Sequence, residues 1–286
     1  MLQQAIAGLQ AGSIYALIAL AIVLILEATD VPNFAMAEMG LVPAFVLWEV
    51  MDRWGLNYFL AVPVALVSGA VLALVIERVM IRPILAESHF ASVLMTIGVF
   101  VALNSGTQRV WGSAPRRIDS PFDGHFEVGD QIIAWEQVVT ISLGAVITFV
   151  LIRFFKTRWG VRMTAVAEDR VTPRLLGVSV SWVFRVSWAL AGVIVALALI
   201  LHTEATLLSD QSASTLVLKG FVAATMGGFS SVLGAFIGGL ALGVMENLAG
   251  FYISTGSQAA VAMLVIVVIL MLKPDGLFGR VRPRQV

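Results

Sequence analysis

No cysteine occurs among the 286 residues, which excludes a disulfide framework and a thiolate metal site and leaves the redox compartment unread. Charge is scarce as well: Asp, Glu, Lys and Arg make up 13% of the chain, where soluble domains carry roughly 25%. The formal net charge is +0 and the basic residues are sorted by loop, so nothing points to nucleic acid. The three histidines, His89, His125 and His202, lie far apart, in or beside expected loops, without metal-ligand spacing. No serine and histidine suggest a nucleophilic pair, which argues against an intramembrane enzyme. A G-x-x-x-x-G-K-[ST] phosphate loop is absent too, so the chain carries no nucleotide-phosphate cradle of that kind. Met1–Leu26 has neither the basic n-region nor the small-residue cleavage site of a signal peptide and reads as a retained first span.

What the chain has is apolar surface, 59% of its residues, more than a soluble core absorbs. A membrane span needs about 20 apolar residues. Ala5–Leu26 is the first, with Gly8 and Gly12 four apart for close helix packing. Glu27, Asp30 and Pro32 interrupt, and Val31–Val50 follows with Glu38 inside it, so this part reads as a broken helix. Trp54–Ile76 is the third span, closed by Glu77, a short basic loop with Arg78 and Arg82, and Pro83. Ala91–Gln108, Gln137–Ile152, Val186–Thr203 and the last span within Asn247–Leu272 continue the series. Gly220–Met245 holds no charge but many glycines, and predicts two short, tightly packed helical pieces. Glu204–Ser214 is expected to be an outer loop.

Between spans, residues 111–135 form a polar stretch with tryptophans at its edges, as in an aromatic belt. Within it Phe126–Val128 and Gln131–Ile133 flank Gly129-Asp130, a hairpin turn signal, with an irregular loop as the alternative. Residues 153–185 carry seven basic side chains, Arg153, Lys156, Arg158, Arg162, Arg170, Arg174 and Arg185, against Glu168 and Asp169. With Arg78, Arg82 and the tail residues Lys273, Arg280, Arg282 and Arg284, the proposed inner loops hold 13 of the 18 Lys and Arg. The bias predicts a cytoplasmic C-terminus and, counting back through the spans, a periplasmic N-terminus. The expected fold class is therefore an all-α polytopic membrane protein with about 8–9 transmembrane segments. Broken or re-entrant helices and a small periplasmic hairpin complete it, and 1–286 is read as a single transmembrane domain with periplasmic loop 111–135 and cytoplasmic segment 153–185. A weak internal repeat, Phe34–Gly40 against Phe221–Gly227, matches at four of seven places and would point to a substrate path.

Several stretches resemble the LivH-type inner-membrane permeases of branched-chain amino acid ABC importers. Gly12–Leu20 resembles the family's opening motif, and Asn33-Phe34-Ala35 with Glu38 resembles its asparagine-phenylalanine-alanine-x-glycine-glutamate motif. Arg170, Arg174 and Leu175–Val178 are similar to its coupling segment, and Met226–Ala235 with Gly238, Gly239 and Glu246 to its glycine-rich helices. Lys273–Gly279 resembles its terminal signature. Departures stand at Ala21, Glu27, Asp30 and Ala37, where the family has glycine, at Met36, where it commonly has histidine, and at Val171-Thr172-Pro173.

The resemblance implies one transmembrane subunit of an importer for a small polar solute, not itself an enzyme. Its partners would be a second related permease, two ATPase subunits and a periplasmic substrate-binding protein. The chain would hold no cofactor, ATP and magnesium being bound by the ATPase subunits, and it would lie in the bacterial inner membrane. Expected path residues are Tyr15, Asn33, Glu38 and Thr225; expected coupling residues are Arg162, Arg170, Pro173, Arg174 and Gly177. Glu38 is expected to pack against a neighbouring helix, accepting from Tyr15 or Ser13 or balancing a cation of the partner. Thr172-Pro173 suits a helix start, so the coupling element is read as two short helices meeting there. The rival is an ion-coupled secondary transporter or channel, for which only Glu38, Lys219 and Glu246 are candidate intramembrane ionisable groups. Lys219 otherwise reads as snorkelling to an interface, and Glu246 as a helix-end group or a contact with another subunit.

Overall fold

The computed structural model describes residues 2–84, 87–122, 124–128, 131–168, 172–273 and 275–279. Its helices are α1 (Leu2–Thr29), α2 (Met36–Trp54), α3 (Tyr58–Ile76), α4 (His89–Trp111), α5 (Trp135–Phe155), α6 (Arg158–Glu168), α7 (Thr172–Leu175), α8 (Val180–Ala205), α9 (Asp210–Gly227), α10 (Val232–Tyr252) and α11 (Ser257–Leu272). The strands β1 (His125–Val128) and β2 (Gln131–Ala134) pair antiparallel, Phe126 opposite Ile133, as the turn signal predicts. Gly129-Asp130 itself lies outside the described residues.

Among the described residues six helices are long and apolar enough to cross a membrane: α1, α3 with its extension to Ile84, α4 from Phe90, α5, α8 and α10. Ala213–Gly227 and α11 are shorter apolar helices. The chain is thus an all-α polytopic membrane protein.

Helix ends fall where local chemistry puts them. Asn57, Ser88, Ser179 and Ser231 each accept a backbone N–H of the helix that follows, at 3.0, 3.3, 3.4 and 3.0 Å. Between α1 and α2, Asp30 takes a left-handed conformation (φ 58°). That conformation carries a steric cost for any residue with a Cβ, least for Asp and Asn. Pro32 follows and the chain stays non-helical to Ala35, so the expected break is present, with α2 opening only at Met36.

Three expectations are corrected. The Arg78–Arg82 stretch is a π turn followed by a 3-10 turn to Ile84, not a loop, because the buried Glu77 carboxylate accepts Arg82 Nε at 3.0 Å and Nη2 at 2.7 Å. The outer loop is only 206–209, since α8 runs to Ala205 and α9 starts at Asp210. Of the two glycine-rich pieces only the first is short: α10 runs on from Val232 to Tyr252, and the last apolar helix, α11, follows within Asn247–Leu272 as expected. The two repeat-like stretches stand at opposite ends of their helices, Phe34–Gly40 at the start of α2 and Phe221–Gly227 at the end of α9.

The chain forms two compact units. One comprises 24–121 and 153–217, with α2, α3 and α8 at its core around the fully buried Trp188. Gly69 and Gly192 let α3 and α8 close, a Cβ on Gly69 falling 2.9 Å from the Gly192 carbonyl. The other comprises 1–23, 122–152 and 218–286. There Gly8 and Gly12 of α1 meet Gly243 and Gly239 of α10, and a Cβ on Gly12 would stand 2.8 Å from the Gly239 carbonyl. Small residues are what allow such backbone approach in a membrane protein, where hydrophobicity gives no drive between helices.

Candidate functional site

In the unit built from 24–121 and 153–217, Asn33 is 2% exposed and stands just ahead of α2. Its Oδ1 accepts the Ala35 N–H at 3.0 Å, and its Nδ2 lies 3.2 Å from Met39 Sδ. The side chain thereby closes the turn that lets α2 begin. Thr96 Oγ1 is 3.3 Å from the Pro32 carbonyl freed by the break.

In the first turn of α2, Glu38 is fully buried. Neither expected donor serves it: Ser13 Oγ is 2.8 Å from its own helix's Leu9 carbonyl, and Tyr15 turns to Glu246. Glu38 Oε1 instead accepts Asn104 Nδ2 at 3.2 Å. Gln108 Nε2 is 3.0 Å from Asn104 Oδ1 and 2.7 Å from Asp210 Oδ2, so an amide ladder climbs α4 from the buried carboxylate to the start of α9. Glu38 Oε2 has no hydrogen-bond partner among the described residues.

At the far end of α4, Trp111 donates its indole N–H to Glu49 Oε2 at 2.7 Å and stacks on Phe45, ring centroids 5.3 Å apart. Arg116 lies over the Trp48 ring at 3.9 Å, and its backbone pairs with Leu208 in both directions. Beside this latch a cavity of about 660 Å³ is lined by residues that include Arg117, His202, Glu204 and Ser209.

In the other unit Tyr15, Lys219 and Glu246 form a closed triad. Lys219 Nζ stands 2.8 Å from both Tyr15 Oη and Glu246 Oε2, and Tyr15 donates to the same Oε2 at 3.0 Å. Glu246 is 2% exposed and the Lys219 side chain 19%. The sequence reading assigned these two separate roles at an interface, a helix end or another subunit; the fold pairs them with each other. What hid the pairing is the 228–231 break, which turns α10 back so that positions 27 apart come together.

Thr225, another expected path residue, is buried, with Oγ1 2.8 Å from the Phe221 carbonyl of its own helix. Beyond it the C-terminal stretch lies against the break: the Leu277 and Phe278 N–H groups donate to the Met226 and Gly227 carbonyls at 2.9 and 3.1 Å. Gly228 (φ 96°) and Gly276 (φ 80°) supply the conformations this contact needs.

Of the coupling residues, Arg170 lies outside the described residues and the Arg174 side chain is not described. Arg162 sits on α6 over the Trp159 ring at 4.7 Å, and Trp159 packs on Trp182 of α8, centroids 4.6 Å apart. Pro173 is buried in the first turn of α7, as expected of proline there. Gly177 (φ 79°) closes that turn and a Cβ on it would meet nothing within 4 Å. Leu175 and Leu176 are 82% and 79% exposed. The sequence places this apolar pair in the coupling segment without giving it a role of its own; its exposure on the turn is what the structure adds.

The family model described as "Branched-chain amino acid transport system / permease component" matches residues 4–273. The high-affinity branched-chain amino acid transport system permease protein LivH of Escherichia coli is 28% identical over 299 residues, which take in 98% of this chain and 96% of that protein. The BraD permease protein of Pseudomonas aeruginosa, described in the same terms, is 24% identical over 294 residues with the same two shares. A probable LivH of Methanocaldococcus jannaschii is 22% identical, covering 92% of this chain and 88% of that one. Among solved structures, PsaBC from Streptococcus pneumoniae in complex with Fab superposes with a TM-score of 0.53 at 15% identity, over 96% of this chain and 92% of that one, a likeness of fold alone.

Proposed function

The chain belongs to the family of permease components of branched-chain amino acid transport systems, and on that premise we propose that it forms half of the translocation path of an ATP-driven importer. It is the transmembrane subunit of an ABC importer, and its solute is a branched-chain amino acid or a related small polar compound. The observation that carries this reading is the extent of the family match, residues 4–273, which leaves no further domain among them to host another activity.

The rest of the assembly follows from that role. A second related permease completes the path, two ATPase subunits bind ATP and magnesium, and a periplasmic binding protein delivers the solute. The subunit itself is non-catalytic and lies in the bacterial inner membrane. Counting α2, α9 and α11 with the six long apolar helices gives nine crossings. The basic excess of 153–185 supports that segment and the C-terminus lying in the cytoplasm, with the N-terminus and the β1–β2 hairpin in the periplasm.

Residues 153–185 contact the ATPase. Exposed Leu175 and Leu176, held on the Thr172–Gly177 turn in a segment whose sequence is rich in arginine, offer an apolar tip fit to enter a cleft on a soluble partner. Closure of the ATPase dimer would reach α8 through the Trp159–Trp182 contact as a rigid-body movement. Along the path, Asn33 and Glu38 shape the α1–α2 break, and Tyr15 and Thr225 serve the α9–α10 side.

Copurification with reconstitution tests the proposal. The tagged chain should bring down an ATPase and a second permease, and liposomes holding the complex should take up leucine only with ATP inside and binding protein outside. Uptake by this chain alone, driven by an ion gradient, would overturn it in favour of a secondary transporter.

A further inference from the structure

Lys219 stands about 14 Å along α9 from Asp210 and about 12 Å from Gly227 at a 1.5 Å rise per residue, near the middle of a bilayer core roughly 30 Å thick. An ammonium at that depth is held only where it faces protein or water. Part of the need is met inside the unit by Glu246 Oε2 and Tyr15 Oη. These take two of the three ammonium protons. Nζ also lies 4.8 Å from the Tyr15 ring centroid; no third hydrogen-bond acceptor meets it among the described residues, and the side chain keeps 19% of its surface open. Glu246 Oε1, buried beside it, has no hydrogen-bond partner among the described residues.

The surface around Lys219 is also unlike a lipid face. On α9, Gln211, Thr215 and Leu218 are exposed, with Ser214 and Lys219 half-exposed. Their spacing, three, four, seven and eight residues from Gln211, is that of one helix face. Contrast α3, whose exposed positions are Phe59, Leu60, Pro63, Val64, Val67, Val71 and Val75, a surface that hydrocarbon accepts. A face with Gln, Ser, Thr and Lys around a single leucine at membrane depth borders water or another chain.

We propose that this face of α9 lines the aqueous solute path and that Lys219 is the cation that receives the carboxylate of a passing amino acid. Glu246 and Tyr15 are positioning residues: they hold the ammonium and keep the triad near neutrality, which suits a zwitterion better than a simple anion. The inference rests on the reading of the chain as an amino acid permease and names the group on it that recognises that solute class.

The absence of cysteine makes the test direct. In the assembled complex in proteoliposomes, Thr215→Cys and Leu218→Cys should react with a water-soluble anionic thiosulfonate, read by the mass of this chain. Saturating leucine should slow the reaction at least threefold. Lys219→Met should raise the KM for leucine uptake at least tenfold with kcat within about twofold, and Lys219→Arg should restore KM to within threefold. Cysteines that label in the isolated chain but not in the assembled complex would mean that α9 packs against the second permease, overturning the proposal. An unchanged KM in Lys219→Met, or an equal loss in Lys219→Arg, would remove the carboxylate role. Labelling needs no substrate: a face that reacts in a complex taking up no amino acid would sink the importer reading and uphold the aqueous face.

Discussion

Lys219 Nζ lies 2.8 Å from Glu246 Oε2, an ion pair with a buried carboxylate and a partly open lysine, between consecutive helices that the 228–231 turn folds onto each other. Removing one member of such a pair leaves an uncompensated charge, at about 3–5 kcal/mol, whereas replacing both by apolar side chains is often neutral. Glu246→Leu should therefore lower the melting temperature of the detergent-solubilised complex sharply. Adding Lys219→Met to it should restore most of the loss. A double variant no more stable than Glu246→Leu would show that the pair is not the source of the effect.

Gly12 and Gly239 set how closely α1 and α10 approach. A Cβ on Gly12 falls 2.8 Å from both the Gly239 carbonyl and Leu240 Cα, which are backbone atoms with little room to give. Overpacking of this kind costs about 1–3 kcal/mol. Gly12→Val should reduce the yield of folded protein severalfold, measured by size-exclusion chromatography, while Gly98→Val, where nothing lies within 4 Å of a Cβ, should not.

Much of this was legible in the chain. The Pro32 break, the Gly8/Gly12 packing face and the β1–β2 pairing each rest on a local rule: a missing N–H, a spacing of four, a turn dipeptide. What was not legible is the set of long-range partners. Tyr15 and Glu246 are 231 positions apart and Glu38 and Asn104 are 66 apart, and no periodicity specifies which polar groups meet. The end of α10 at Tyr252 is not marked either, because apolar residues continue past Met245 up to the short polar run Ser254–Gln258. Nor does the proline alone give the start of α2, which the Asx turn from Asn33 to Ala35 delays to Met36.

Asn33 and Glu38 separate by conservative replacement. Asn33→Asp keeps an acceptor for the Ala35 N–H and should leave complex yield within about twofold, while Asn33→Leu forfeits a buried hydrogen bond worth about 1–3 kcal/mol. Glu38→Gln retains an acceptor for Asn104 and should assemble, while Glu38→Leu cuts the ladder to Gln108 and Asp210 and should lower complex yield before uptake per complex. A Glu38→Leu complex formed in full yield that fails only in uptake would place Glu38 in the path itself.

Gly177 has room for a side chain but not the conformation for one. At φ 79° a β-branched residue is strained, by roughly 1–2 kcal/mol, and the turn presenting Leu175 and Leu176 would shift. Gly177→Val and the pair Leu175→Ser, Leu176→Ser should insert normally, the residues being exposed, yet lose most solute-stimulated ATP hydrolysis in the reconstituted complex. Full stimulation in both would show that this tip does not meet the ATPase.

The Lys273–Gly279 stretch closes the α9–α10 turn from outside. Leu277 and Phe278 donate to the Met226 and Gly227 carbonyls, groups left unpaired by the end of α9, so the tail serves as a C-cap supplied from elsewhere in the chain. Gly228 makes the contact possible twice over: its φ of 96° suits glycine, and a Cβ there would fall 2.7 Å from Gly279 Cα and 2.9 Å from the Asp275 carbonyl. Two effects, strain and backbone overlap, add in Gly228→Ala, so its cost should exceed the roughly 1 kcal/mol of an ordinary left-handed glycine replacement. Ending the chain at Lys273 removes the donors but leaves Gly228 unobstructed, so it should cost less than Gly228→Ala if overlap dominates and more if the two hydrogen bonds do. Melting temperatures of the two variants in detergent decide between these, and a truncated chain as stable as the full one would show that the tail is not a cap.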